Sequence, residues 1–297
     1  MRVLLTGATG YIGQHVAAQL HSQGHEVVGV IRSPRGAPSW METVVGDLCA
    51  PASILDAAAS ADGVVLTAFP SHGATWAESV ATEAAFHRAL RSRLRGLGTR
   101  VVCSNGSIFL GDSGDGRHDE SAPVDTKHPA AIRAAASRAL LDGAAEGFVP
   151  VELRIASFVY GAGGSIFVPA LLAAARRDGE SIYVGDGSTR LSTVSVTSAA
   201  RAYTCALGKG VAGAHYHIAA DEAPTTADLA RAIGASIGVP TRSASFEEAQ
   251  ERLDPFTALF LATSNRLDNR RARRELGWEP GPEPGLLWDV AFGSYSR

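Results

Sequence analysis

The chain has 297 residues, 45% of them hydrophobic and 19% charged, with a formal net charge of −3. That balance suits a soluble α/β protein with a sizeable core. It provides neither the basic field that draws in nucleic acid nor an apolar stretch long enough to cross a bilayer, so neither nucleic acid nor membrane is an expected partner.

In chain order, β-branched runs at 3–5, 27–31, 43–45, 63–66, 101–103 and 151–155 alternate with helical patterns. This is the signature of a parallel sheet covered on both faces, a Rossmann-type doubly wound fold. Between the first two runs, Ile12, Val16 and Leu20 recur at helical spacing and Gly24 ends the helix. Helices are also expected at 76–97 and 129–145, with a Gly-, Asp-, Ser- and Pro-rich loop at 111–128. Beyond about residue 160, short strands (181–184, 193–196, 215–218) mix with helices (165–177, 198–207, 226–237, 246–252, 269–276). The expected division is a dinucleotide-binding domain over 1–160 and a smaller, mostly substrate-binding α/β subdomain over 161–297, intertwined as one compact unit.

The first turn holds Gly7, Ala8, Thr9, Gly10, Tyr11, Ile12 and Gly13 between a strand and a helix. Glycines at this register permit a tight turn and bring a pyrophosphate close to the backbone, where the helix N-terminus offers free N–H groups. About 20 residues on, an acidic residue would bind the ribose 2′-hydroxyl of NAD. Arg32 stands there, with Arg35 close behind. A guanidinium cannot accept that bond but pairs with a 2′-phosphate, so NADP(H) is expected over NAD(H). Asp47 and Leu48 are expected to frame the adenine, and Thr67, Ala68 and Phe69 to pass under the phosphate–ribose region. Cys49, Cys103 and Cys205 have no metal-like spacing, so no metal is expected and the thiols suit a reducing, cytoplasmic setting.

These residues resemble those of the extended short-chain dehydrogenases/reductases over nearly the whole chain. Residues 6–13 match the family fingerprint, and Leu153-Arg154-Ile155-Ala156-Ser157-Phe158-Val159-Tyr160-Gly161 resembles its LRPxxVYG segment, with Ile155 in place of proline. The resemblance implies that backbone around Ile155 and Ser157 holds the nicotinamide amide. Residues 185–190 and 267–280 resemble the start of the substrate domain and the C-terminal signature.

The departures fall where the family's chemistry lies. No tyrosine occurs between Tyr11 and Tyr160. Counting back from Gly111 puts Gly106 at the catalytic Ser/Thr position, and Ser137-Arg138 with Asp142 puts Ala134 at the tyrosine and Arg138 at the lysine. The usual triad is therefore absent. Ser104, Ser107 and Arg138 remain as catalytic candidates, Arg138 also as a ligand of the cofactor ribose. His128 is an alternative acid because imidazole titrates near neutrality. Ser107, Phe109, Phe158, Phe167 and the apolar run 256–261 are candidates for holding substrate.

Ketone reduction creates an alkoxide that needs a proton or firm electrostatic stabilisation. A ketone beside a phenolic hydroxyl stabilises its own oxyanion. The expectation is thus an NADPH-dependent ketoreductase acting on an aromatic polyketide ketone, similar to the atypical ketoreductases of actinomycete aromatic polyketide pathways. A non-catalytic NADP-binding regulator and a nucleotide-sugar epimerase or dehydratase are the competing readings.

Overall fold

The computed structural model describes residues 1–33, 36–70 and 75–296. The first half alternates β1 (Arg2–Thr6), α1 (Tyr11–Ser22), β2 (Glu26–Ile31), β3 (Glu42–Val45), α2 (Ala52–Ala59), β4 (Gly63–Leu66), α3 (Trp76–Leu94), β5 (Arg100–Gly106), α4 (Ala131–Leu141) and β6 (Val149–Ile155). The second half adds β7 (Phe158–Tyr160), α5 (Phe167–Asp178), β8 (Ser181–Val184), β9 (Thr193–Ser195), α6 (Val196–Lys209), β10 (His215–Ile218), α7 (Thr226–Ile237), β11 (Thr241–Ala244), α8 (Phe246–Arg252), α9 (Pro255–Ala262) and α10 (Leu286–Phe292).

Seven strands form one sheet in the order β10-β6-β5-β4-β1-β2-β3, every neighbouring pair parallel. A parallel sheet must be covered on both faces, and the side chains divide accordingly. Val3, Leu5, Val65 and Val102 join one core cluster with Val16 and Leu20 of α1 and Ala199, Tyr203 and Ala206 of α6. Leu4, Val64, Leu66, Val101 and Cys103 join the other with Ile54 of α2, Phe86 and Leu90 of α3 and Leu140 of α4. The alternation within each strand follows from the two-residue period of strand side chains.

Chain order reverses direction between β1 and β4, which places the topological switch point at their carboxyl ends. Smaller parallel pairs, β8 with β11 and β7 with β9, carry the rest of the second half. β10 returns to pair with β6 in the large sheet, His215 opposite Glu152.

Several expected bounds shorten for local reasons. α3 ends at Leu94 instead of 97, because Gly96 and Gly98 follow with left-handed φ of 76° and 70°. α4 spans Ala131–Leu141, not 129–145: Pro129 precedes its first turn and Gly143 lies against the Phe148 ring. Residues 272–276 form a single π-helical turn capped by Gly277.

Candidate active site

The glycine-rich turn is shaped by contacts only glycine tolerates. Gly7 has φ 70°, and a Cβ there would come within 2.8 Å of Ala68 N. At Gly13 a Cβ would lie 1.9 Å from the Gly7 carbonyl oxygen. α1 begins at Gly10 with no side-chain cap, so its first-turn N–H groups are left to a ligand. Across the switch point, Thr67 Oγ1 donates to the Thr6 carbonyl at 2.7 Å and Ala68 N to Thr6 Oγ1 at 3.3 Å, fixing the ends of β1 and β4 together. Thr9 and Gly10 are exposed along this turn. An uncapped helix start behind a cradle that a Cβ would fill fits a dinucleotide pyrophosphate.

The Tyr11 hydroxyl donates to the Gly161 carbonyl at 2.9 Å, tying the start of α1 to the turn after β7. Burial, then the neighbouring Tyr295, push its pKa well up. Ile12 is partly buried against the core. Arg32 is exposed just beyond the end of β2; the Cys49 N–H, which donates to the Asp47 carboxylate at 2.8 Å, and then the Arg32 charge hold that carboxyl below its ordinary pKa. Leu48 is half-buried against the α2 side of the sheet. Arg35 lies outside the described residues.

Arg138 is not at the site. Its side chain is 75% exposed and pairs with Asp142 at 2.7 Å on the outer face of α4. The inward face carries Ala136, Ser137, Leu140 and Leu141, so helical geometry turns residue 138 out. The cation that α4 delivers inward is Arg133. Its guanidinium makes two 2.8 Å bonds to Glu83 of α3, donates to the Ser104 carbonyl at 3.3 Å, and stacks on Phe69. Burial opposes its charge, but the bonds and charge of Glu83 outweigh it and hold the guanidinium above its ordinary pKa.

At the end of β5, Ser104 Oγ donates to the Leu66 carbonyl at 3.2 Å. Ser107 is fully buried, and its Oγ donates to Asn265 Oδ1 at 2.5 Å and lies 3.5 Å from Ser157 Oγ. Both serine protons are thus committed to protein acceptors. Between them, a Cβ on Gly106 would meet nothing within 4 Å. Gly106 pairs with Ile155, whose 5% exposed side chain is core, so any cofactor contact there is through backbone.

The Tyr160 hydroxyl is likewise committed, whereas His128 is bonded through Nδ1 alone and its buried Nε2 has no partner among the described residues. Tyr160 donates to the Pro284 carbonyl at 2.9 Å, and burial pushes its pKa up. His128 Nδ1 accepts the Ala130 N–H at 3.1 Å, which places the ring proton on Nε2, and burial lowers its pKa although Asp125 raises it.

The expected substrate-holding residues require correction. Phe109, Phe158 and Phe167 are 1%, 0% and 4% exposed, so their rings are core. Arg154 lies over the Phe109 ring, and Phe158 packs on Phe167 at 4.8 Å. The aromatics packed with this cluster that reach the surface are Trp76, 36% exposed, and Phe256, 42% exposed. A row of rings runs from Phe69 to Trp76 (5.2 Å), on to Phe256 (6.0 Å), and then to Phe260 and Phe167 (4.6 and 6.2 Å). Sequence reasoning missed Trp76, Arg133 and Asn265 as site residues, while Phe256 fell within the apolar run it had marked.

These features define a nicotinamide-dependent oxidoreductase, and the chain belongs to the NAD dependent epimerase/dehydratase family, whose profile matches residues 3–219. An uncharacterised protein of Schizosaccharomyces pombe is 31% identical over 99% of this chain and 100% of its own length. A 2-alkyl-3-oxoalkanoate reductase of Stenotrophomonas maltophilia is 28% identical over 94% of this chain and 95% of its own. A 4-hydroxy-2-methyl-3-oxo-4-farnesyl-3,4-dihydroquinoline-1-oxide ketoreductase of Stigmatella aurantiaca is 26% identical over 75% of this chain and 69% of its own. The structure of MoeE5 in complex with UDP-glucuronic acid and NAD shares the fold, with TM-score 0.79 and 24% identity over 100% of this chain and 98% of that one. Among the described residues no helix is long and apolar enough to cross a membrane.

Proposed function

We propose that this protein is an NADPH-dependent ketoreductase that reduces a carbonyl of a polycyclic aromatic polyketide of the angucyclinone kind, with the substrate assisting its own protonation. The observation that carries this reading is a dinucleotide cradle intact beside serines whose protons are already donated to Leu66 O and Asn265 Oδ1. Two relatives are named as reductases of oxo compounds, one of them a ring ketone on a quinoline. The altered triad also resembles that of the simocyclinone C7 ketoreductase.

The chain's own residues bind and orient. The turn from Gly7 to Gly13 and the start of α1 hold the pyrophosphate, Arg32 pairs with a 2′-phosphate, and backbone near Ile155 and Ser157 receives the nicotinamide end. When bound, the cofactor supplies a hydride to the carbonyl carbon. Trp76 and Phe256 offer ring faces to a planar substrate, and Phe69, held by Arg133, closes the row toward β4. A phenolic hydroxyl beside the ketone donates its proton to the new alkoxide oxygen, and the phenolate regains a proton from water. Binding and orientation then account for most of the acceleration. The free thiols of Cys49, Cys103 and Cys205 suit a reducing compartment such as the cytoplasm.

The test is turnover of an angucyclinone ketone with stoichiometric NADPH loss and tighter binding of NADP than NAD. Tighter NAD binding overturns the cofactor assignment. The family match keeps a nucleotide-sugar epimerase or dehydratase as the second reading, and saturable binding of a nucleotide-diphosphate sugar favours it.

A further inference from the structure

Asn265 enters the reading above only as the acceptor of the Ser107 hydroxyl proton. It follows α9 in the second half of the chain, yet its side chain is 1% exposed and sits among the turns that end β5 and β6. Its amide nitrogen donates to the carbonyls of Ser107 and Gly111, both at 3.2 Å. Its amide oxygen accepts from Ser107 Oγ at 2.5 Å and Ser157 Oγ at 3.4 Å. Two N–H donors and two lone pairs are all an asparagine amide has, and all are used. The backbone is anchored too: Asn265 N donates to the Arg190 carbonyl at 3.1 Å, and the Asn265 carbonyl accepts from Ser192 Oγ.

β5 and β6 are adjacent, with Gly106 opposite Ile155, so the two bonded turns stand side by side at the carboxyl end of the sheet. One residue therefore links the turn at 107–111 and the turn at Ser157, through its side chain, to the segment 190–192, through its backbone. We infer that Asn265 is a positioning residue that braces the Ser107 and Ser157 turns and so fixes the nicotinamide end of the dinucleotide site. The inference rests on the reading above, which puts the nicotinamide end of the cofactor beside Ile155 and Ser157. The phosphate end is held elsewhere, by the turn from Gly7 to Gly13, and Asn265 makes no bond to it.

The test compares Asn265→Ala and Asn265→Asp in the full chain. Aspartate keeps the acceptor for both serine hydroxyls but loses both donors and turns a carboxylate toward two carbonyl oxygens. Two probes are titrated: NADP⁺, and 2′-phospho-ADP-ribose, which lacks the nicotinamide. Both variants are expected to weaken NADP⁺ by about tenfold while 2′-phospho-ADP-ribose changes by less than about twofold. Amide exchange over 107–111 is expected to accelerate. With NADPH deuterated on one or the other face at C4, transfer from the wrong face becomes measurable. Equal weakening of both probes assigns Asn265 a merely structural role, and unchanged NADP⁺ affinity in a folded variant overturns the inference outright. Should neither variant fold, the Ser107→Ala/Ser157→Ala double variant, which deletes only the hydroxyl bonds, carries the same comparison with an expected shift of about threefold for NADP⁺ alone. No change in that ratio overturns the inference. Failure of the reductase reading shows separately, as a wild-type protein that delivers no label to any ketone.

Discussion

The Arg133 guanidinium lies 4.4 Å from the centroid of the Phe69 ring. This contact joins α4 to the segment that leaves β4, and α3 holds both partners, Arg133 through Glu83 and Phe69 through the Trp76 ring. The Glu83 side chain is only 6% exposed, so removing the cation strands a buried carboxylate. Arg133→Met is expected to destabilise the fold by about 3 kcal/mol in urea unfolding and to raise the cofactor KM. Adding Glu83→Leu to that variant should recover part of the loss, because the unpaired charge is gone.

Ser104 and Ser107 each donate to a protein acceptor and are not poised to protonate an alkoxide. Ser104→Ala and Ser107→Ala are each expected to lower kcat by less than about tenfold, whereas loss of a true general acid costs roughly 10²–10⁴. Steady-state kinetics on the same ketone checks this. A fall of that larger size in either variant returns the proton to the protein.

The resemblance sets Gly106 at the family's catalytic hydroxyl position, and a Cβ there meets nothing within 4 Å. Gly106→Ser should fold with stability within about 0.5 kcal/mol of the parent, read from urea unfolding. On a ketone that carries its own phenolic donor the added hydroxyl should change kcat by less than about threefold. On a ketone without one it should raise kcat.

How much of this was legible from residue order depends on the range of the forces involved. The turn from Gly7 to Gly13 and α7, which runs from the Thr225 cap to Gly238, are dictated by their own residues and read directly. α2 escaped notice because its Ala-rich segment buries only Ile54 and Ala58, too few for a helical period. The choice of Arg133 over Arg138 depends on which face of α4 packs, and a motif register cannot report that. Asn265 was illegible for another reason: its bonds reach residues 158, 154 and 108 positions away.

Acid should weaken the fold before it affects the chemistry. Burial, followed by the charge of Arg154, lowers the His217 pKa from 6.5 to about 3, and burial also lowers that of His87. A depressed folded-state pKa means that the unfolded chain binds more protons between about pH 6.5 and 3, so stability is full above 6.5 and falls as pH drops through that window. His217 alone is expected to remove about 2 kcal/mol at pH 5, seen as a lower urea midpoint than at pH 7.5. His217→Asn, which keeps a donor toward the His118 carbonyl, should flatten the dependence.

The central claim is that the substrate stabilises its own reduced oxygen, and a matched pair of ketones tests it most directly. One carries a free phenolic hydroxyl beside the carbonyl, and the other has that hydroxyl methylated. With NADPH deuterated at C4, the free phenol is expected to take up one deuterium per cofactor oxidised, and the methylated partner to react at least about a hundredfold more slowly at similar affinity. Equal rates for the pair, or no deuterium in either product, would contradict the account.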